Sequence, residues 1–258
     1  MLVAGGANEG LVDVAVVRHD PSGALDPDFG TGGTTVIAGG LVEALAVQSD
    51  GRILLAGFFA DGPFAGFGVM RLLADGALDS SFRTATGAPG IVTTSFAARY
   101  TQDTAVGVQA LPERADCRRG SDWDPSRRKG SFVAARYLGD GTPDPTFGKG
   151  KGRFRKRVGK SNAAGALAFL ADGKILIAGT TRRKHPEYHS DIAMLRLDDS
   201  GRPDRTFGHG GRVQTAAVPD TEGFRVRDVV IDSLGRTTVV GVSGDGAGKA
   251  TILTRYLP

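Results

Sequence analysis

The sequence is poor in the residues that carry covalent and metal chemistry. Among its 258 residues are one cysteine, Cys117, one tryptophan, three methionines and four histidines. A single cysteine excludes an internal disulfide framework and cannot form a thiolate metal site by itself. It does not fix the compartment, because an exported bacterial protein can also lack cysteine pairs.

Long apolar stretches are missing from the sequence as well. No run of 18 apolar residues exists, so no membrane span is expected, and residues 1–10 lack the basic flank and apolar stretch of a signal peptide. Glycine is abundant instead, at 39 residues, which is roughly twice its usual share of about 7%. This composition predicts many short strands joined by tight turns.

Three residue types recur together along the chain. Arginines follow one another at steps of 53, 65, 60 and 59 residues, and after each of the first four an aspartate comes eight residues later and a phenylalanine three residues beyond it. The arginines are Arg18, Arg71, Arg136, Arg196 and Arg255, the aspartates Asp26, Asp79, Asp144 and Asp204, and the phenylalanines Phe29, Phe82, Phe147 and Phe207. A tandem repeat is first of all an architecture.

We expect these repeated positions to have structural roles, because a residue placed once per repeat also repeats its surroundings. The aspartates should accept backbone N–H groups in Asx-type turns, and the arginines should pair with them or with a neighbouring repeat. One open alternative is a protein in which every repeat contributes one ligand group to a central channel.

Each repeat predicts four short strands. In the first, 34–37 is expected to be the first strand, followed by 43–48, 53–57 and 67–72. Asp50-Gly51 lies between two of these apolar runs, which predicts a hairpin with a type I′ turn. The same order recurs over 166–197 and 226–255. A repeated four-stranded antiparallel meander is typical of propeller blades.

The expected fold is therefore an all-β β-propeller of four-stranded antiparallel blades in one domain, 1–258. We divide it into a half unit, 1–20, and repeats of about 21–72, 73–137, 138–197 and 198–258. Leucine, isoleucine and valine of the third and fourth strands, with the repeated phenylalanines, should fill the layers between blades. A five-bladed ring with one thin blade, an open arc and a piece of a longer array all remain open. We favour a closed or nearly closed ring, since open strand edges would promote association.

The motifs resemble the bacterial delta-60 repeat family. Arg71-Leu72 with Asp75-Gly76, Asp79 and Phe82 carries the resemblance, as do the hairpin sequences 48–57 and 172–179. The resemblance implies tandem arrays in exported or cell-surface bacterial proteins with no established activity, and it supplies no catalytic residue. Two departures stand out. Arg83 replaces the glycine after Phe82, so that loop should differ, and 112–124 is expected to be an irregular surface loop.

Charge is distributed unevenly. Residues 113–184 contain 18 Lys or Arg against 7 Asp or Glu, a local net charge of +11 in a chain whose total is +4. Ten of these residues are candidates for anion binding: Arg127, Arg128, Lys129, Arg153, Arg155, Lys156, Arg157, Arg182, Arg183 and Lys184. On a strand, Arg153, Arg155 and Arg157 would share one face. The partner would be an anionic polysaccharide, an acidic protein or a nucleic acid. A solvated charged face without a partner is the alternative.

The sequence offers no catalytic constellation, metal site or cofactor motif. His185 and His189 flank Pro186, where we expect a loop, and no carboxylate stands at metal-ligand spacing from them. We therefore predict a non-enzymatic repeat domain for macromolecular interaction or scaffolding. The alternatives are a propeller hydrolase or lyase with carboxylates or a metal at its axial channel, and a piece of a larger surface protein with no activity of its own.

Overall fold

The computed structural model describes the whole chain except residues 8–12, 62–63, 84–86, 97–103, 112–113, 118–119, 125–128, 160, 186, 217–223, 245–248 and 258. Every regular element in the described part is a β-strand. None of the described residues forms a helix long and apolar enough to cross a membrane. The described residues fall into two compact units, unit 1 (Met1–Arg118 with Ala135–Asp144) and unit 2 (Arg119–Ala134 with Pro145–Pro258).

The strands are short and follow one another closely. The first ten are β1 (Leu2–Ala7), β2 (Asp13–Arg18), β3 (Thr34–Ile37), β4 (Gly40–Val47), β5 (Ile53–Asp61), β6 (Phe64–Leu72), β7 (Ile91–Thr93), β8 (Thr104–Ala105), β9 (Val108–Leu111) and β10 (Arg114–Cys117). The others are β11 (Gly120–Asp124), β12 (Lys129–Ala135), β13 (Tyr137–Leu138), β14 (Arg153–Lys156), β15 (Asn162–Phe169), β16 (Ile175–His185), β17 (Glu187–Leu197), β18 (Arg212–Ala216), β19 (Arg225–Ile231), β20 (Thr237–Gly244) and β21 (Lys249–Tyr256).

The strands form antiparallel meanders of three or four members. Unit 1 contains the sheets β1-β2-β3, β4-β5-β6-β7 and β13-β10-β9. Unit 2 contains β15-β16-β17-β18 and β19-β20-β21, and β14, β12 and β11 are neighbours in a further sheet. The hairpin β16–β17 is the longest, with eleven residues in each strand.

The sequence repeat and the sheet are out of phase by one strand. We expected 34–37 to begin a repeat, but β3 instead pairs with β2 of the preceding meander, with Val14 opposite Ile37 and Val17 opposite Thr34. The cause lies in the glycine-rich loop, where the Arg18 N–H donates to the Gly33 carbonyl at 2.9 Å and returns the chain beside the strand it left. The strands β7 and β18 close their sheets in the same way.

The hairpin at Asp50-Gly51 is present, but the predicted type I′ turn is wrong. Only Gly51 has a positive φ, 85°, and its N–H donates to the Gln48 carbonyl at 3.0 Å. The Asp50 side chain accepts the Arg52 N–H at 3.0 Å, which holds Asp50 at an ordinary negative φ. The turn is therefore type I with a left-handed glycine after it.

Two predicted loops are strands. Residues 114–117 pair with β9, with Cys117 opposite Val108, and residues 120–124 pair with β12, so the irregular loop expected over 112–124 is wrong for these ranges. His185 and His189 likewise lie on β16 and β17, with His185 opposite Glu187. Both differences have the same physical reason. Backbone N–H and C=O groups need hydrogen-bond partners, and an antiparallel strand supplies them even where turn residues interrupt the apolar pattern.

The core lies between sheets, as predicted from the apolar strands. In unit 1 one cluster combines residues of β1–β3 with residues of β4–β7: Val14, Val16, Phe29, Ile53, Leu55, Phe59, Met70, Leu72 and Ile91. In unit 2 a second cluster joins β15–β18 to β19–β21, and a third contains Phe132, Phe147, Ile175 and Leu195. Phe29, Phe82 and Phe147 are fully buried, whereas Phe207 is half-buried.

Candidate anion-binding site

The structure places each of the first four repeated arginines beside its aspartate. The Nε–Oδ2 distances are 2.7 Å for Arg18–Asp26 and 2.8 Å for the Arg71–Asp79, Arg136–Asp144 and Arg196–Asp204 pairs. The second carboxylate oxygen accepts a backbone N–H two residues further along, at 3.0 Å from Asp28, Ser81 and Thr206 in the three repeats where this bond is described. These are Asx turns, whose carboxylates are already engaged on both oxygens.

Three of these arginines also stack on the repeated phenylalanines. The guanidinium carbons lie 4.7 Å from the Phe29 ring centre, 4.5 Å from Phe82 and 4.6 Å from Phe207. Each geometry is that of a cation–π contact. An arginine side chain that contacts both a carboxylate and an aromatic ring is held in a fixed position. This suits a structural role.

Burial and hydrogen bonds shift the pKa of the second pair. Burial lowers the pKa of Arg71, although the neighbouring Asp79 opposes the shift. Burial would raise the pKa of Asp79, but the hydrogen bonds from Ser81 and the charge of Arg71 outweigh it and hold that pKa below its usual value. Asp204 behaves in the same way, with Thr206 and Arg196 lowering its pKa against burial.

A set of contacts, called here the inter-repeat clasp, joins one repeat to the turn of the next. The backbone N–H of the residue after the phenylalanine donates to a turn carbonyl of the following repeat: Gly30 to Asp75 at 2.7 Å, Arg83 to Asp140 at 2.9 Å and Gly148 to Ser200 at 2.9 Å. In unit 1 the arginine contributes too, because Arg18 Nη1 donates to the Ala74 carbonyl and Arg71 Nη1 donates to the Gly139 carbonyl. The repeated residues therefore hold repeats together.

The predicted departure at Arg83 is visible in the backbone. Gly30, Gly148 and Gly208 follow their phenylalanines with φ values of 56°, 63° and 52°, whereas Arg83 does not have a positive φ. Arg83 still makes the clasp hydrogen bond, and residues 84–86 lie outside the described part of the chain. Arg255 lies exposed on β21, where its Nε is 3.4 Å from Thr238 Oγ1.

The candidate basic residues lie on unit 2, in three segments. Arg153 and Arg155 are exposed on β14, Lys156 is half-buried, and Arg157 is exposed just beyond the strand. Arg182 is exposed on β16. Lys129 begins β12, and Arg183 and Lys184 lie on β16, positions at which the structure describes the backbone; Arg127 and Arg128 lie outside the described residues.

Ser161 joins these three segments. Its carbonyl accepts the backbone N–H of Arg182 at 3.0 Å, and its hydroxyl accepts the backbone N–H of Gly130, next to Lys129, at 3.1 Å. Asn162 fixes the third segment, because its side chain accepts the Val158 N–H at 2.8 Å and donates to the Val158 carbonyl at 2.5 Å. Val158 directly follows Arg157. Backbone groups of Gly130, Val158 and Arg182, each beside or within a basic segment, are therefore held by two adjacent buried residues.

A second basic element precedes β14. Lys149 and Lys151 are exposed in a loop whose ends are held by the Gly148 N–H on the Ser200 carbonyl and the Gly152 N–H on the Phe147 carbonyl, both at 2.9 Å. The corresponding return in the first repeat spans one residue less, from Gly33 to Phe29. The longer loop places Lys149 at φ 61°, the single non-glycine residue with a positive φ in the part of the chain that the structure describes.

The described exposed side chains of the candidate site are basic rather than aromatic. Phe154, the aromatic residue of β14, is half-buried and packs against the third core cluster, so it is not presented for stacking. Among the described residues no group of three His, Cys, Asp or Glu side chains could hold a metal ion. Exposed guanidinium and ammonium groups on a fixed backbone can bind sulfate, carboxylate or phosphate groups.

Sequence reasoning missed Ser161 and Asn162. Their position in the sequence could have indicated them. These two polar turn-forming residues follow the basic run 149–160 and stand at the start of the apolar strand β15. Their contacts were not predictable, because Gly130 and Ser161 are separated by 31 residues.

Parts of the chain are similar to known proteins. Two segments match a known beta-propeller family. Residues 48–82 and 170–207 match the family described as "Domain of unknown function (DUF5122) beta-propeller". Each segment runs from a hairpin turn through the repeated arginine and aspartate to the repeated phenylalanine. With the antiparallel sheets of three and four strands, this match confirms the predicted all-β propeller class.

The chain is similar to the crystal structure of an endo-arabinase from Bacteroides thetaiotaomicron, with a TM-score of 0.47, 12% sequence identity, and coverage of 100% of this chain and 90% of that one. No curated protein matches the sequence.

Proposed function

We propose that this chain is a non-enzymatic interaction domain that binds an anionic polysaccharide through the basic segments gathered around Ser161. The observation that carries the proposal is that Gly130, Val158 and Arg182, each beside or within a basic segment, bond to Ser161 or Asn162. Charges scattered along a sequence become a binding surface only when the fold brings them together.

Long-range electrostatics support this proposal. The +11 of residues 113–184 is set against −7 in the rest of the chain, so the charge is polarised. A concentrated field of one sign raises the local concentration of an oppositely charged polymer and increases its association rate. Neutral and cationic polymers gain nothing from this field, so charge selects the partner.

The geometry of β14 favours a linear partner. Arg153 and Arg155 are both exposed and lie two residues apart on a strand at the end of its sheet order. Alternate residues of a strand are about 7 Å apart, so the two guanidinium groups can meet successive anionic groups of an extended polymer. Arg157 and the loop residues Lys149 and Lys151 are exposed as well and continue the series.

A polysaccharide fits better than a single-stranded nucleic acid. Binding of single-stranded nucleic acid usually combines a basic groove with aromatic side chains on which bases stack. At this site Phe154 packs into the core, and the exposed side chains described on β14 are arginines. The resemblance to the delta-60 repeat family also favours an exported or cell-surface location, where acidic polysaccharides are available partners.

Calorimetric titration at low salt tests this proposal with heparin as the polysaccharide, and dextran and a thymidine oligonucleotide as comparisons. The variant R153A/R155A/R157A should lose at least tenfold in heparin affinity, equivalent to about 1.4 kcal/mol. The matched control R202A/R205A/R212A removes the same charge from exposed arginines of unit 2 outside the site and should change affinity much less.

Two outcomes overturn the proposal. One is heparin binding that both triple variants weaken equally, which would mean that net charge alone attracts the polymer. The other is the absence of heparin binding by the wild-type chain at low salt. Tighter binding of the oligonucleotide than of heparin would reassign the site to nucleic acid.

A further inference from the structure

The loop that follows Phe147 is longer than the equivalent loops of two other repeats. Its closing hydrogen bond runs from the Gly152 N–H to the Phe147 carbonyl at 2.9 Å and spans five residues. The equivalent bonds in the other two repeats span four residues: Gly33 to Phe29 and Gly211 to Phe207, both at 2.9 Å. The loop 148–152 therefore contains one residue more than the common form.

The tip of the longer loop has backbone donors that the shorter loops use internally. Each shorter tip is closed by a bond from the residue after its first glycine: Thr31 N–H to the Thr34 carbonyl at 2.7 Å, and His209 N–H to the Arg212 carbonyl at 2.9 Å. In the longer loop no hydrogen bond of the described part of the chain uses the N–H of Lys149, Gly150 or Lys151. All three residues are exposed. Successive backbone N–H groups in a turn can bind an anion.

The backbone at Lys149 is strained. Its φ is 61°, and it lies between Gly148 at 63° and Gly150 at 83°. The left-handed conformation costs a residue with a side chain about 1–2 kcal/mol, whereas glycine adopts it freely. Residues held in such conformations cluster at sites that clamp ligands. A lysine at this position supplies an ammonium group at the cost of stability, which points to a use for that group.

Positive charge surrounds the free N–H groups. Lys149 and Lys151 flank Gly150, and the segment 145–157 contains no aspartate or glutamate. Neither lysine forms an ion pair within the described part of the chain. The loop thus offers three N–H groups and two ammonium groups to one anion. A sulfate ester presents three terminal oxygens to such donors, whereas a carboxylate presents two, and charge-assisted hydrogen bonds are the strong ones.

We propose that the loop 148–152 binds a sulfate ester group, with the N–H groups of Lys149, Gly150 and Lys151 and the two ammonium groups as donors. This inference rests on the proposed function and narrows its ligand to a sulfated polysaccharide. The polymer then continues along β14, where Arg153 and Arg155 are exposed directly after the loop.

An NMR titration of the full chain with sodium sulfate tests the loop without a polymer. Sulfate should shift the Gly150 amide resonance along a saturable curve, and the variant K149G/K151A should reduce that shift. Sodium chloride at equal ionic strength is the comparison and should move the resonance little. Equal shifts in the two salts would overturn the inference, because a loop that only responds to ionic strength does not bind sulfate.

Calorimetric titration with heparin, and with heparin from which the sulfate groups have been removed, tests the polymer. K149G/K151A should bind heparin about tenfold more weakly, at about threefold for each exposed ion pair, and should bind the desulfated polymer as the wild type does. K149R/K151R keeps both charges and should retain heparin affinity. R202A/R205A removes two exposed cations of unit 2 outside the loop and should change heparin affinity much less.

Stability provides a readout that separates ligand binding from a structural role. K149G relieves the left-handed backbone, so it should raise the urea midpoint of unfolding while it lowers heparin affinity about threefold. Heparin binding that R153A/R155A/R157A weakens but K149G/K151A does not would overturn this inference and leave the proposed function standing. Absence of heparin binding by the wild-type chain would overturn both.

Discussion

The first four repeated arginines each contact a carboxylate, three of them stack on an aromatic ring, and Arg18 and Arg71 also donate to a carbonyl of the next repeat. The four pairs have nearly equal lengths but differ in burial, because the Arg136 side chain is 1% exposed and that of Arg18 is 25% exposed. Pair energies depend strongly on burial, since removing one partner of a buried pair leaves an uncompensated charge without water. Equivalent positions should therefore differ in their energetic contribution.

Replacing these arginines by methionine tests that expectation. Arg136→Met should lower the free energy of unfolding by about 3–5 kcal/mol because it leaves the buried Asp144 carboxylate without its arginine. Arg18→Met, at the half-exposed equivalent, should cost about 1 kcal/mol. Urea denaturation monitored by circular dichroism measures both values. Equal losses in the two variants would show that burial does not distinguish the pairs.

The turn glycines provide a second matched comparison. Gly201 and Gly23 have φ values of 76° and 90°, so alanine is strained equally at both. Only at Gly201 would the new Cβ meet a neighbour, the Phe147 ring at 2.6 Å. Gly201→Ala should therefore destabilise the fold by about 1–3 kcal/mol more than Gly23→Ala. Thermal or urea unfolding of both variants decides the point, and a smaller loss at Gly201 would contradict the clasp packing.

The carboxylates of the Asx turns predict a loss of stability in acid. The pKa values of Asp79 and Asp204 lie below their ordinary value, since hydrogen bonds and the paired arginines outweigh burial. A depressed folded-state pKa contributes stability above the unfolded-state pKa, and that stability is lost as pH falls through the folded-state value. The double variant D79N/D204N should be less stable than the wild type at pH 7 and should lose less stability on acidification. Parallel pH profiles of the unfolding midpoint would refute this.

Some strands and hairpins could be predicted from the local sequence alone. The apolar runs 53–57 and 175–179 became β5 and β16 because their alternation and the glycine after each turn are encoded within a few residues. The strand with which 34–37 pairs could not be predicted from nearby residues. The Arg18 N–H and Gly33 carbonyl, 15 residues apart, decide which sheet that strand joins. The strand pairing of 114–117 and 120–124 also escaped prediction, because no Asp-Gly turn marks it in the sequence.

The same distinction holds for the candidate anion-binding site. The basic residues were recognisable in the sequence because charge is a property of each residue. Their convergence was not, since it depends on Ser161 contacting backbone groups at Gly130 and Arg182, which lie 31 residues before it and 21 residues after it. Hydrogen bonds of this kind depend on the packing of whole strands, and no local sequence pattern predicts them.

Two lysines in the loop before β14 allow the effect of backbone strain on stability to be measured apart from the effect of charge. Lys149 has φ 61°, whereas Lys151, also exposed, does not have a positive φ. Lys149→Gly and Lys151→Gly remove the same charge and add the same backbone freedom. The K149G variant should be more stable than the K151G variant by about 1–2 kcal/mol, because glycine relieves the left-handed backbone only at 149. Urea denaturation of the two variants measures the difference, and a more stable K151G would contradict it.

Considered as a whole, the molecule separates the repeated structural residues from the exposed basic segments. The repeated Arg, Asp and Phe residues are engaged in turns and clasps, while the basic segments on unit 2 interrupt the repeat pattern and are exposed where their side chains are described. A partner is therefore expected at the irregular part of the chain. The repeats supply the rigid backbone on which Ser161 fixes the three segments.

The most direct test is the salt dependence of heparin binding. Each cationic group that meets an anionic group of the polymer releases a counterion, so the logarithm of affinity falls linearly with the logarithm of salt concentration. We predict that R153A/R155A/R157A reduces the magnitude of this slope by about 2–3, at about 1 per lost contact. The control R202A/R205A/R212A should leave the slope unchanged. A wild-type slope near zero, or equal slopes for the two triple variants, would contradict the account.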